Sequence, residues 1–254
     1  MDADPPRILE RVRTRFNQVE VRVSGDLVSF EIAGAAHAEW HPRRRVTRQA
    51  WDALAAAALL HPATDAPDLL MLGLGGGTGA RILRALLPRA RITAVEIDGG
   101  MIALGRRHMR LDDLGLEILE ADAFRFLRET RRRFDVVIDD IYLGGAGDAV
   151  RPARMDDRMI RLLRRVLRPD GVAAINLITG RGHRTVQSAA RAAMRRAFAQ
   201  VVSIRPPDSL NETLAAGRRL LPTSILREAA RRFDHYRDQA DWRALSARRL
   251  PRLV

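Results

Sequence analysis

The stretch Leu69-Leu70-Met71-Leu72-Gly73-Leu74-Gly75-Gly76-Gly77-Thr78-Gly79-Ala80 decides the fold of this chain. A short apolar run of strand length leads straight into a glycine cluster, and helix-forming residues follow. Five glycines between positions 73 and 79 exceed what a strand-to-helix turn requires. The loop therefore reads as bare backbone offered to a ligand at the mouth of a sheet. Gly73, Gly75, Gly76, Gly77, Thr78 and Gly79 are the candidate contacts.

Downstream, apolar runs alternate with amphipathic segments, the pattern of a parallel sheet covered by helices on both faces. Strands are predicted at 69–72, 92–96, 116–120, 136–139, 172–177, 201–204 and 213–216, and helices at 80–87, 101–108, 123–133, 153–167 and 185–198. The expected fold is α/β, a Rossmann-like sheet of seven mostly parallel strands. Ahead of it, Val19–Val23 and Leu27–Ile32 alternate with period two around Ser24-Gly25-Asp26, which predicts a β-hairpin. Residues 46–60, rich in Ala and Leu, predict a helix. Three units follow: residues 1–62, a catalytic nucleotide-binding unit at 63–222, and a basic helical tail at 223–254.

The predicted strand tips carry acids. Val95-Glu96-Ile97-Asp98 puts Glu96 seventeen positions after Gly79, a spacing that suits hydrogen bonds to both hydroxyls of a ribose. Asp122, followed by Ala123 and Phe124, serves as a helix N-cap, as an adenine-side contact, or as both. In Asp139-Asp140, alternation along the strand turns one carboxylate into the cleft. Asp140, nearer the strand end, is the candidate. Four converging tips make a binding site.

Composition narrows the chemistry. Cysteine is absent, which excludes disulfides, thiolate metal sites and cysteine nucleophiles. His37, His41 and His61 lack metal-ligand spacing, so no metal is expected. No run reaches the ~18–20 apolar residues of a membrane span, and Met1-Asp2-Ala3-Asp4-Pro5-Pro6 does not open a signal peptide. A soluble, cytoplasmic protein is the expectation. All 44 basic residues are arginine. Residues 63–150 hold twelve arginines against fourteen acids, while 151–254 hold twenty-three against nine. Arg154, Arg158, Arg161, Arg165 and Arg168 fall on one helical face, which either tracks nucleic-acid phosphates or is simply solvated. Aromatic residues are only 5%, leaving little for base stacking.

Gly75–Gly77, Val95-Glu96-Ile97-Asp98, Asp122-Ala123-Phe124 and Phe134-Asp135-Val136-Val137-Ile138 together resemble the class I S-adenosylmethionine-dependent methyltransferase superfamily. The N-terminal hairpin makes the chain similar to the spermidine synthase-like group within it. The resemblance implies binding of S-adenosylmethionine or its decarboxylated form by the glycine loop, Glu96, Ile97, Asp122, Ala123 and Asp140. It also implies a small-molecule acceptor, an amine in that group, and homodimerisation. Asp140 and Tyr142 are the candidates to orient and deprotonate the acceptor, with Asp148 in reserve on the loop Gly144-Gly145-Ala146-Gly147.

Departures fall where the chemistry lies. The Asp that follows the triple glycine in aminopropyltransferases is matched by Thr78, and their second catalytic Asp by Leu143. Their Tyr-His pair falls on Gln49 and Ala50, and a cofactor-touching Gln on His37. Methyl transfer is thereby favoured slightly over aminopropyl transfer to an unusual amine. A nucleic-acid-modifying enzyme and a cofactor-binding homologue without catalysis are the competing classes.

Overall fold

Alternation builds the first layer. The computed structural model describes residues 5–62, 66–144, 149–152, 155–180 and 182–252. Strands β1 (Arg7–Arg13), β2 (Gln18–Ser24), β3 (Leu27–Ile32) and β4 (Ala35–Trp40) form an antiparallel sheet in that order. The predicted hairpin is its centre. Val19, Val21, Phe30, Ile32 and Ala38 point to one face and pack on Met101, Leu104 and Met109.

The main sheet contains β5 (Asp68–Leu72), β6 (Arg91–Glu96), β7 (Glu117–Glu120), β8 (Phe134–Asp139), β11 (Leu167–Ile178), β12 (Gln200–Arg205), β13 (Asn211–Gly217) and β14 (Ser246–Leu250). Between β8 and β11, β9 (Leu143–Gly144) and β10 (Ala149–Val150) pair as a separate short ribbon. The main order is β14-β12-β13-β11-β8-β5-β6-β7. Pairings from β11 through β7 are parallel, and those of β13 and β12 with their neighbours are antiparallel. After β5 the chain runs outward through β6 and β7, then returns to place β8 on the opposite side. That reversal opens a crevice at the carboxyl ends of β5 and β8, the switch point of such sheets.

Helices cover both faces. On one side lie α1 (Ala50–Ala58) and α2 (Thr78–Leu86), with α7 (Ser224–Ala229) and α8 (Tyr236–Arg243) contributing Leu226 and Trp242 to the same core. On the other lie α4 (Ala123–Glu129), α5 (Asp157–Arg165) and α6 (Arg184–Ala197). The helix α3 (Gly99–Met109) carries the N-terminal sheet. Asp98 joins the two sheets. It caps α3 at Gly100 N and accepts hydrogen bonds from Thr14 Oγ1 (2.5 Å) and Asn17 Nδ2 (3.0 Å).

Three differences from the sequence reading bear on the architecture. The segment expected as a helical tail supplies an eighth strand: Val201–Arg205 pair antiparallel with Ser246–Leu250. Trp242, buried and bonded through Nε1 to Leu226 O at 2.7 Å, fixes where the chain turns back. The arginines of β14 suit a sheet edge, where charge discourages further pairing. Second, the helix expected from residue 46 begins at Ala50. Asp52 is buried and accepts from Thr47 N (3.0 Å), Thr47 Oγ1 (3.0 Å) and Arg48 N (2.6 Å), folding residues 47 and 48 out of the helix. Third, the basic stripe is partly structural. Arg165 bonds the carbonyl of Leu127, and Arg168 leaves the predicted helical face altogether: α5 ends at Arg165, and Arg168, in β11, pairs with Asp68 and Asp135 at 2.6 Å each. Arg154 lies outside the described residues.

Asp52→Ala leaves two backbone N–H groups without their acceptor beneath α1. A loss of about 2–4 kcal/mol is expected, measured by urea unfolding. Gly73→Ala puts a Cβ 2.4 Å from the carbonyl oxygen of Asp140 at φ +86°. It is expected to cost about 2 kcal/mol or more in the same assay.

Candidate functional site

Strand direction does the first work. The parallel strands β5, β6, β7 and β8 end on the same side, so the residues after each tip surround one cleft of about 1050 Å³. Gly73, Leu74 and Gly75 form its floor, Glu96 and Ile97 one wall, and Asp122, Ala123 and Phe124 the next. Asp140, Ile141, Tyr142 and Leu143 continue it, and Asn176 and Asn211 line it from β11 and β13.

The glycine loop is held by a carboxylate. Glu96 Oε2 accepts the N–H groups of Leu74 and Gly75 at 2.9 Å each, and its Oε1 accepts that of Asp98 at 3.0 Å. Two acceptor oxygens offer about four lone-pair sites, so capacity remains for a ligand hydroxyl. Asp122 caps α4 through Arg125 N at 2.7 Å and still faces the cleft. The hydrogen-bonding carboxylates and the apolar Ile97, Ala123 and Phe124 match the needs of a nucleoside, with hydroxyls on one side and a flat base on the other. The residues present fit an S-adenosyl group.

The adjacent acids after β8 have opposite fates. Asp139 is fully buried and bound by both terminal nitrogens of Arg151, at 2.9 and 2.7 Å. Asp140 lines the cleft and accepts from Asn176 Nδ2 at 2.8 Å. Burial pushes its pKa up to about 6, against the opposing hydrogen bond from Asn176. A carboxylate with that pKa is ionised at neutral pH yet basic enough to take a proton. Asn176 is itself oriented, since its Oδ1 accepts from Asn211 Nδ2 at 3.0 Å. The Tyr142 hydroxyl donates to Asn176 O at 3.0 Å, and burial pushes its pKa up to about 12. The phenol therefore stays protonated and shapes the wall.

Part of the expected loop does not reach the cleft. Gly76 faces inward, where a Cβ would meet Met109 Sδ at 2.5 Å and Ala38 Cβ at 2.7 Å. Gly77, with φ 92°, turns the chain into α2, and Gly79 lies on that helix against Met71 and Trp51. Thr78 is buried beneath β4. It accepts from Glu39 N (2.8 Å) and donates to Glu39 O (2.9 Å). Its side chain thus bears on the joint between sheets, and the preference for methyl transfer drawn from it loses its support. Asp148 and residues 145–147 of the adjoining loop lie outside the described residues.

His37, Gln49, Ala50, Trp51 and Leu143 do line the cleft. Asn176, Asn211, Asp208 and Arg151 went unread in the sequence. Asn176 had left a signal, a lone amide within the apolar run Val172–Leu177. The others are brought in by a hairpin loop and a crossover whose placement no local pattern encodes. Among the described residues, no group of three metal-ligating side chains is present, and no helix is long and apolar enough to cross a membrane.

Comparison with known proteins places this geometry. Residues 69–171 match a family model described as a methyltransferase domain. A polyamine aminopropyltransferase of Neisseria meningitidis is 34% identical over 121 residues, 46% of this chain and 45% of that protein. A Drosophila melanogaster eEF1A lysine and N-terminal methyltransferase homolog is 27% identical over 169 residues, 63% of this chain and 24% of that protein. The chain thus spans less than half the length of these curated relatives. The crystal structure of a probable spermidine synthase from Corynebacterium glutamicum superposes with a TM-score of 0.74 at 20% identity, covering 89% of this chain and 87% of that one. Residues 69–171 are thus similar to a methyltransferase domain, and the chain shares its α/β fold with a probable spermidine synthase.

Proposed function

We propose that this cleft binds S-adenosylmethionine or its decarboxylated form and that the chain alkylates an amine there. The observation that carries the reading is Asp140, a half-buried carboxylate with a raised pKa, set on the same cleft as the nucleoside-binding tips. Glu96 accepts a ribose hydroxyl with its remaining lone pair, and Asp122 with Ala123 and Ile97 holds the base. The sulfonium supplies an electrophilic carbon whose bond to sulfur breaks as an amine lone pair arrives. That displacement needs alignment and an unprotonated amine. Asp140 orients the amine and takes its proton, and Asn176, fixed by Asn211, keeps the carboxylate pointed into the cleft.

Aminopropyl transfer is the reading we favour for the group moved, because the Neisseria relative at 34% identity is a polyamine aminopropyltransferase. Methyl transfer keeps support from the methyltransferase domain match and the lysine methyltransferase relative. Thermal shift with each cofactor separates them. Stabilisation by decarboxylated S-adenosylmethionine well beyond that by the parent compound, with methylthioadenosine as product, is the expected outcome. The reverse order, with S-adenosylhomocysteine as product, assigns methyl transfer.

Asp140→Asn removes the proton acceptor and retains a hydrogen-bonding group of nearly the same shape. Turnover is expected to fall by about 10²–10⁴ while cofactor affinity changes little. In the wild type, turnover rises with pH as Asp140 ionises around pH 6. A turnover profile flat between pH 5 and 8 counts against the assigned base.

A further inference from the structure

The cleft has four acidic side chains among its described lining residues: Glu96, Asp122, Asp140 and Asp208. Three already have tasks, holding the glycine loop, capping α4 and facing the reacting amine. Asp208, on the loop between β12 and β13, is the fourth. Its wall connects to the reacting end by side chains, Ser209 to Asn211 at 2.7 Å, Asn211 to Asn176 at 3.0 Å, and Asn176 to Asp140 at 2.8 Å. A second ammonium group on an acceptor would find its counter-charge here.

That carboxylate is already taken. Arg48, which follows Thr47 ahead of α1 and is not itself a lining residue of the cleft, binds Asp208 through Nε. The guanidinium is held from behind as well. Nη1 donates to Asp241 Oδ1 at 2.7 Å, and Asp241 is in turn fixed by Arg44 at 2.6 Å. The backbone of Arg48 sits at φ 65°, a left-handed conformation that a non-glycine residue adopts only when its surroundings enforce it, and the bond from Arg48 N to Asp52 at 2.6 Å does so. An isolated ion pair between groups 38% and 56% exposed would exchange freely. Here one partner is fixed at its backbone and at a second carboxylate, so releasing Asp208 leaves the positive charge in place. Leu143, Ile178 and Leu210 also line the cleft, among polar residues that include Thr179, Ser209 and Asn211.

We propose that the acceptor is a monoamine, and that Arg48 sets this specificity by occupying Asp208 and repelling a second ammonium. Arg48 acts through Asp208 and is a specificity-determining residue, not a catalytic one. The inference rests on the amine-alkylating function proposed above.

The test uses the full chain saturated with methylthioadenosine or S-adenosylhomocysteine, whichever product the cofactor assay identifies. Butylamine and 1,4-diaminobutane are titrated calorimetrically, since they match in length and differ in one charge. The wild type is expected to bind butylamine at least as tightly as the diamine. Arg48→Met is expected to shift the affinity ratio toward the diamine by about fivefold or more, the scale of a partly exposed ion pair. Arg48→Lys is expected to keep the wild-type ratio, and Asp208→Asn added to Arg48→Met to reverse the shift. A tenfold wild-type preference for the diamine overturns the proposal without any variant, as does an unchanged ratio in a folded Arg48→Met. If neither amine binds to a chain that holds the nucleoside, the acceptor assignment falls and the cofactor assignment stands. If no nucleoside binds, the function proposed above fails first.

Discussion

Nothing larger than hydrogen fits on the Cα of Gly73. The carbonyl oxygen of Asp140 occupies the space a side chain would take, 2.4 Å from an ideal Cβ. The ends of β5 and β8 can approach this closely only because one of them is bare, and the cleft floor is that approach. Asp140 N donates to Leu72 O at 2.9 Å, and Gly73 N donates to Val95 O at 2.9 Å, so the tips of β5, β6 and β8 are tied through the same residues. Glu96 then fixes the loop beyond. The ligand-facing backbone is rigid before any ligand arrives, which reduces the ordering cost of binding.

Around that floor, polar side chains join elements that apolar packing only brings near. Asp98 couples the N-terminal sheet to α3, Thr78 couples β4 to α2, and Asp52 shapes the entry to α1. Each is buried and each is hydrogen-bonded, as buried polar groups in folded proteins are. Their positions explain why the small sheet and the nucleotide fold share a wall of the cleft. His37 and Gln49 reach it from opposite ends of the connection between the two.

Most of this fold was legible in the sequence because it is local. Buried parallel strands are continuous apolar runs, and all seven predicted strands correspond to strands of the main sheet within a few residues. The eighth was not legible, since Ser246-Ala247-Arg248-Arg249-Leu250 has the composition of a solvated helix and becomes a strand through pairing with β12. The cofactor-side candidates Gly73, Glu96, Asp122 and Asp140 were readable as strand tips. Gly76 and Thr78 lie off the cleft lining, and a glycine run does not reveal which members face a cleft and which pack against a neighbouring element. The acceptor side was least legible. Asp208, Asn176 and Asn211 lie far apart from Asp140 in sequence and meet it only through sheet order.

Asp139 and Asp140 are identical in composition and adjacent in sequence, and what divides their labour is parity. The pleat sends one beneath the sheet end, where Arg151 neutralises it, and the other into the cleft. Insertion of a single residue before this pair would exchange the two carboxylates. The neutralised group would then face the cleft, and the proton-accepting one would meet the arginine. The chemistry of the site is thus encoded in the odd or even count of residues along β8 as much as in their identity.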